Sequence, residues 1–235
     1  MAFWGRSTTM DNLNNLKYVF RDKGLLDQAL THKSWVNEHP GSRKSNERLE
    51  FLGDAILEFV ITEVIYKKFP HNQEGYLTTL RANLVNTQNL ANLAQRLDVG
   101  NLLFLSRGEE DGGGRTNPSL LADTVEAVIG ALYLDQGISK VEEFISENLV
   151  TEIPEKVSKP LKDPKSRFQE DIQARGLVTP KYKVLEEVGP DHNKNFLVEV
   201  LVEGKSWGKG TGKSKSLAEQ AAAEKALSFE KKQVK

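Results

Sequence analysis

The hydrophobic periodicity of this 235-residue chain changes near residue 160, and that change constrains the fold more than any other feature. Before this point, apolar residues recur at intervals of three and four, which is the spacing of amphipathic helices. After it, three short segments alternate apolar and polar residues, as half-buried strands do. The sequence therefore predicts an all-α domain followed by a small α+β domain.

The charge balance changes at the same place. Residues 1–160 carry 17 Lys and Arg against 22 Asp and Glu, a net charge of −5, whereas residues 161–235 carry 15 against 11, a net charge of +4. A basic region beside an acidic one favours binding of a polyanion by the basic region. Three prolines among charged residues in TEIPEKVSKPLKDPKS are typical of a linker. We predict an all-α domain (1–153), a linker (154–163) and an α+β domain (164–235).

The first domain contains two long predicted helices. One covers Asn46 to Phe69 and is stopped by Pro70, and the other follows Pro118 and ends at Gly137. The expected core face of the first carries Leu49, Leu52, Ile56, Phe59, Val60 and Val64. Between the two helices, the three consecutive glycines of SRGEEDGGGRTNPS predict an irregular, mobile loop.

The second domain is predicted to have the order α-β-β-β-α. SRFQEDIQARG has helical periodicity, and SKSLAEQAAAEKALSFEKK is an alanine-rich helix. The strands are expected in KYKVLEEVG, NFLVEVLVEG and KSWGKGTGK, with Trp207 in the core.

Several classes of protein are excluded or disfavoured by composition. The chain has no cysteine, so disulfides and cysteine-ligated metals are excluded. The N-terminal residues have no apolar h-region, so a secretory signal is not expected. Glu58 and Glu63 interrupt the longest apolar run, so no membrane span is expected. GGGRTN lacks the P-loop pattern, and no motif for a small-molecule cofactor is present. A cytoplasmic location is the expectation.

A column of acids lies on the first long helix. Glu47, Glu50 and Asp54 are three and four residues apart and therefore project together, and Glu58 continues the row. Asp123 and Glu126 form a second such pair in the other long helix. Like charges at these spacings repel one another.

A divalent cation would compensate these acids. Mg²⁺ and Mn²⁺ take oxygen ligands, which carboxylates provide. The alternative is a solvated helix face on which Arg48 or Arg81 pairs with some of the acids. Helical spacing alone leaves both interpretations open.

The alanine-rich helix of the second domain is preceded by lysines. Lys209, Lys213 and Lys215 combine cationic side chains with the free N–H groups of a helix start, which favours phosphate binding. Lysines here oppose the helix dipole, which argues against a merely solubilising role. Recognition of duplex shape fits better than base stacking, because exposed aromatic pairs are missing.

The motifs resemble those of bacterial ribonuclease III. NERLEFLGDAIL is similar to the signature helix of that family, LLADTVEAVIGALYLDQG to its second acidic motif, and EGYLTTLRANLVN to the segment between them. KSRFQEDIQARG, GPDHNKNF and GKGTGKSKSLAEQAAAEKAL resemble the double-stranded RNA-binding domain that follows in the same family. The resemblance covers residues 10–230 in the domain order of the family.

The resemblance implies a metal-dependent endonuclease for double-stranded RNA. Two Mg²⁺ ions per site, with Mn²⁺ as a substitute, would hydrolyse phosphodiesters to 5′-phosphate and 3′-hydroxyl ends with short 3′ overhangs. Processing of ribosomal RNA precursors and other RNAs is the expected role. The implied metal ligands are Glu50, Asp54, Asp123 and Glu126, of which Asp54 and Glu126 are the implied catalytic residues. Glu47 and Glu74 match acids of the RNA-cleavage groove.

The resemblance also implies a homodimer and an RNA contact surface. Phe51 points about 100° away from Glu50 on the helix, and a partner subunit would bury it. The implied RNA contacts are Gln169, His192, Lys213, Ser214 and Lys215. The chain departs from the family at Ser216 and Leu217, where basic residues are usual.

Two other classes of function fit the sequence less well. An inactive relative that only binds RNA would be favoured by loss of a carboxylate, and all four are present. A helical scaffold with an RNA-tethering tail would leave the acid pairs unexplained.

Overall fold

A computed structural model describes residues 19–158, 161–190 and 194–233 of the chain, the last five of them by backbone alone. The chain divides into two compact units, Met1–Lys159 and Pro160–Lys235. The division falls inside the predicted linker. Within the described ranges, no helix combines the length and apolar character needed to cross a bilayer.

The first unit is helical, which confirms the predicted all-α class. Its described α-helices are α1 (Lys23–Ala29), α2 (Lys33–Glu38), α3 (Glu47–Lys68), α4 (Glu74–Val85), α5 (Thr87–Arg96), α6 (Val99–Leu102), α7 (Arg107–Asp111), α8 (Pro118–Gln136), α9 (Ile138–Asn148) and α10 (Ile153–Ser158). Short 3-10 turns cover Gly114–Thr116 and Val150–Glu152. An isolated bridge joins Thr31 to Phe104.

Helix α8 is the centre of this unit. Asn117 caps its start by accepting hydrogen bonds from the N–H groups of Ser119 and Leu120, and Pro118 occupies the first turn, where its missing N–H costs nothing. From Leu121 to Leu132 the helix is buried on most sides, so α3, α5 and α9 pack around it.

The predicted core face of α3 is correct in part. Leu49, Ile56 and Val60 are buried, but Phe59 is 59% exposed. Leu57 and Ile61 are buried instead, and each lies roughly on the opposite side of the helix from Phe59 because successive residues are about 100° apart. The prediction for Phe59 is therefore wrong, since α3 carries apolar residues on two faces.

The irregular loop predicted between the long helices is also wrong in part, because it contains α7 and a 3-10 turn. The Ser106 hydroxyl caps α7 by accepting a backbone hydrogen bond at 3.2 Å. Arg115 pairs with Glu110 at 2.6 Å and donates to the carbonyls of Gly100 and Leu103 at 2.9 and 3.1 Å. These contacts anchor a glycine-rich segment to the helical body.

The second unit confirms the predicted α-β-β-β-α order. It consists of α11 (Pro164–Ala174), β1 (Lys181–Val188), β2 (Asn195–Val202), β3 (Lys205–Gly212) and α12 (Lys215–Gln233). The strands form an antiparallel sheet in the order β1-β2-β3. Phe168, Val198 and Val200 are fully buried in its core, and Trp207 packs beside them as expected.

The glycines of KSWGKGTGK allow α12 to lie close on the sheet. A Cβ atom on Gly210 would be 2.1 Å from the backbone nitrogen of Ala222, and one on Gly208 would be 2.6 Å from its carbonyl oxygen. Larger side chains on either element would separate the helix from the strand. This close packing fixes the position of the start of α12 relative to the sheet.

Candidate active site

The candidate site is built where α3 crosses α8. A Cβ atom on Gly53 would lie 1.7 Å from the carbonyl oxygen of Glu126, and one on Gly130 would lie 2.2 Å from that of Leu49. Two helices normally pack with side chains between them. Here the two backbones are in direct contact, so acids on both helices can meet beside the crossing.

Three of the predicted metal ligands come together at this crossing. Glu50, Asp123 and Glu126 each place a carboxylate oxygen within 4.8 Å of the others, and all three side chains are half-buried. Asp54, one turn further along α3, is exposed and lies outside this group of three. Glu50 of α3 and both acids of the α8 pair therefore face one shared location, and Asp54 does not join them.

Burial and mutual repulsion of the clustered acids outweigh the nearby positive charge of Lys33. Burial, together with the negative charges of Asp54, Asp123, Glu50 and Glu58, raises the pKa of Glu126 to about 8. Burial also raises the pKa of Glu50 and of Asp123 above their ordinary values. Carboxylates held this close together repel one another when ionised. A hard divalent cation bound between them would offset this repulsion.

The acids at the ends of the column have partners of their own. Glu58 pairs with Arg81 at 2.8 Å, and Glu47 lies 3.4 Å from Lys33. The alternative of a solvated, paired helix face thus describes Glu58. Among the described residues, the three clustered acids have no such ion pair.

His32 and Lys33 line the same pocket, and the sequence interpretation missed both. The pocket, of about 200 Å³, is bounded by His32, Lys33, Asn46, Glu47, Glu50, Leu120 and Asp123. The four histidines of the chain are scattered in the sequence and form no metal-binding motif, so the sequence does not point to His32. No local signal connects ALTHKSW to the acids of α8, since the fold alone brings them together.

Glu74 lies elsewhere on the first unit. It begins α4, accepts a hydrogen bond from the Thr78 hydroxyl at 2.7 Å, and lines a separate pocket with Tyr66 and Arg81. The structure does not place its carboxylate in the pocket of the clustered acids.

Phe51 is strongly exposed. Its side chain is 82% exposed, and it borders a groove together with Leu25, Leu52 and Leu134. Phe59 and Tyr66, further along α3, are 59% and 70% exposed. Three large aromatic side chains of α3 are therefore uncovered in a single chain.

The predicted RNA contacts lie on the surface of the second unit. Gln169 is exposed on α11, and Lys213, Ser214 and Lys215 are exposed at the start of α12. The Ser214 hydroxyl accepts a hydrogen bond from the backbone of Leu217 at 3.2 Å and so caps this helix. His192 lies outside the described residues.

Comparisons with known proteins agree across both units. Residues 22–153 match the ribonuclease-III-like family model, and residues 164–229 match the double-stranded RNA binding motif. The chain is 48% identical over 215 residues to Ribonuclease 3 of Geobacillus kaustophilus, covering 91% of this chain and 87% of that protein. It is 46% identical over 215 residues to Ribonuclease 3 of Streptococcus pneumoniae strain P1031, covering 91% and 93%.

Solved structures extend the similarity to the fold of the helical unit. A 2.2 Å crystal structure of the nuclease domain of ribonuclease III from Campylobacter jejuni is 40% identical, with a TM-score of 0.55, and covers 63% of this chain and 98% of that one. A second structure of that domain, described for flexibility in a region involved in dimer formation, is also 40% identical, with a TM-score of 0.53, and covers 61% and 99%.

Proposed function

Because the chain belongs to the ribonuclease III family, we propose that it is a metal-dependent endonuclease that hydrolyses double-stranded RNA. The observation that carries this proposal is the meeting of Glu50, Asp123 and Glu126 at the crossing of α3 and α8. A double-stranded RNA binding motif on the same chain supplies the substrate class.

The proposed metal is Mg²⁺, with Mn²⁺ as a substitute and two ions per site. Glu50, Asp54, Asp123 and Glu126 would hold the ions, because oxygen donors suit hard cations and the mutual repulsion of these acids is not offset by the cations of the chain. When bound, such ions supply an activated water and stabilise the charge that develops on the phosphate.

The protein itself contributes position and charge. The direct backbone contact at Gly53 and Gly130 fixes the spacing between the acids of the two helices. Because Glu126 is half-buried, bulk water has limited access to its carboxylate. We assign Asp54 and Glu126 as the catalytic carboxylates, and Glu47 and Glu74 to the surrounding RNA-cleavage groove.

The second unit would hold the duplex. Lys213 and Lys215 flank the capped start of α12, where cations and backbone N–H groups favour phosphate. Ser214, Gln169 and His192 complete the proposed contact set. Phosphate contacts of this kind position a duplex without reading its sequence.

A homodimer is the proposed assembly. The exposed aromatic side chains Phe51, Phe59 and Tyr66 of α3 are suited to burial by a second copy of the chain. Two sites on one assembly would cut both strands and leave short 3′ overhangs with 5′-phosphate and 3′-hydroxyl ends. Processing of ribosomal RNA precursors and other RNAs in the cytoplasm is the role that we propose.

The test compares a duplex RNA with its separate single strands, each incubated with the protein in Mg²⁺ or in EDTA. We expect cleavage of the duplex in Mg²⁺ alone, with 5′-phosphate ends that accept ligation. Binding of the duplex without any cleavage in Mg²⁺ or Mn²⁺ would instead indicate an RNA-binding protein and refute the enzymatic proposal.

A further inference from the structure

Two hydrogen-bond donors enter the acidic pocket from the start of α2 and have no part in a carboxylate metal site. They are the imidazole of His32 and the ammonium of Lys33, which share the pocket lining with Glu50 and Asp123. Lys33 is the single cation in the described lining of this pocket.

One ring nitrogen of His32, a residue of the pocket lining, is held by Ser34. Its Nδ1 lies 3.3 Å from the backbone N–H of Ser34 and 2.8 Å from the Ser34 hydroxyl oxygen. A backbone N–H only donates, so Nδ1 acts as the acceptor and the proton of the neutral ring resides on Nε2. The described part of the chain offers Nε2 no hydrogen-bond acceptor.

Lys33 is held loosely. Its Nζ lies 3.4 Å from a Glu47 oxygen, and the two side chains are 62% and 55% exposed. Exposed pairs with this separation contribute little to stability, so the ammonium is free to exchange Glu47 for another anion. The clustered acids repel the phosphates of RNA, whereas the ammonium of Lys33 attracts them. Lys33 is therefore suited to holding a phosphate at its own edge of the cluster.

We propose that Lys33 and the Nε2–H of His32 bind a backbone phosphate of the duplex RNA at the edge of the carboxylate cluster. The inference rests on the proposed function and adds to it the side of the pocket at which the RNA backbone enters. Lys33 supplies charge, and His32 supplies a directed neutral donor.

The test uses the full-length chain with Lys33→Met, His32→Asn and the control Lys67→Met. Asparagine keeps an acceptor for the Ser34 amide and removes the Nε2 donor. Lys67 pairs with Glu63 at 2.6 Å near the far end of α3 and is similarly exposed, at 69%. Thermal melts of each variant check folding.

Binding is measured by salt titration in a Glu126→Gln background, and cleavage by single-turnover rates in the otherwise wild-type chain. We expect Lys33→Met to reduce the slope of log affinity against log salt by about one and the rate about tenfold. His32→Asn should lower the rate without changing the slope, because a neutral donor releases no counterion. Lys67→Met should change neither quantity.

A Lys33→Met protein whose slope and rate both match those of Lys67→Met would overturn the inference while leaving the endonuclease intact. If the wild type does not cut RNA, the proposed function fails, and the salt slope still decides whether Lys33 contacts a phosphate. If His32→Asn does not fold, the Lys33→Met comparison carries the test.

Discussion

Gly53→Ala should damage stability and catalysis together. The added methyl would lie 1.7 Å from the carbonyl oxygen of Glu126, 2.6 Å from its carbonyl carbon and 2.9 Å from the nitrogen of Gly130. All three contacts are with backbone, so no side chain can rotate away. The helices must move apart by roughly an ångström or more, because carbon contacts normally lie at about 3.5–4.0 Å.

The magnitude follows from this displacement. Overpacking of a close contact costs about 1–3 kcal/mol of unfolding free energy, occasionally more. The acids of α3 and α8 separate with their helices, and a misplacement of about 1 Å can lower a catalytic rate about a hundredfold. We therefore expect a lower denaturation midpoint and a rate loss of about a hundredfold.

Gly75→Ala is the matched control. Gly75 is also helical, in α4, but a Cβ atom there would meet nothing within 4 Å. That substitution should be neutral or stabilise the protein by up to about 1 kcal/mol. The assays are urea unfolding followed by circular dichroism, and single-turnover cleavage of duplex RNA. If Gly53→Ala matched Gly75→Ala in both, the close crossing would not be what positions the site.

Three further outcomes are expected. Lys213→Ala with Lys215→Ala should weaken duplex binding for all sequences and lower the slope of log affinity against log salt by about one per lost phosphate contact. Unchanged binding at physiological salt would show that these lysines do not contact the duplex. Phe51→Asp should shift the protein toward monomer in analytical ultracentrifugation, and an unchanged dimer mass at low concentration would remove Phe51 from the interface. Without metal, folded Glu126 has a pKa of about 8 against an ordinary 4.5, so it keeps a proton that the unfolded chain loses. Urea midpoints should therefore fall as pH rises between these values and recover with Mg²⁺. A flat profile in EDTA would contradict the mutual repulsion of the clustered acids.

The pattern of acids could be predicted from the sequence because helical spacing alone decides which side chains on one helix project together. Glu50 with Asp54, and Asp123 with Glu126, needed only the periodicity of α3 and α8. The contact between these helices could not be predicted in this way, since it depends on tertiary packing. In the sequence Gly53 is an ordinary helical glycine, and only the backbone of α8 against it leaves no room for a side chain.

The errors have physical causes of the same kind. The prediction for Phe59 is wrong because α3 is apolar on two faces. Periodicity alone does not say which of these faces packs against α8. The three glycines make the segment look irregular in the sequence. The contacts that order it, from Arg115 to the carbonyls of Gly100 and Leu103, exist only in the folded chain. His32 could not be predicted as a pocket residue because Glu50 and Asp123, which share the pocket, are distant from it in the sequence.

The central claim is that Glu126 acts in chemistry and not in RNA binding, and Glu126→Gln tests it most directly. Glutamine keeps the size of the side chain and one oxygen but removes the charge. Metal electrostatics contribute several kcal/mol to the transition state, and a loss of about 4 kcal/mol corresponds to roughly a thousandfold in rate. Duplex affinity and single-turnover cleavage are measured together in Mg²⁺. We predict unchanged affinity with cleavage about a thousandfold slower, whereas cleavage within a fewfold of wild type would contradict the assignment of this site.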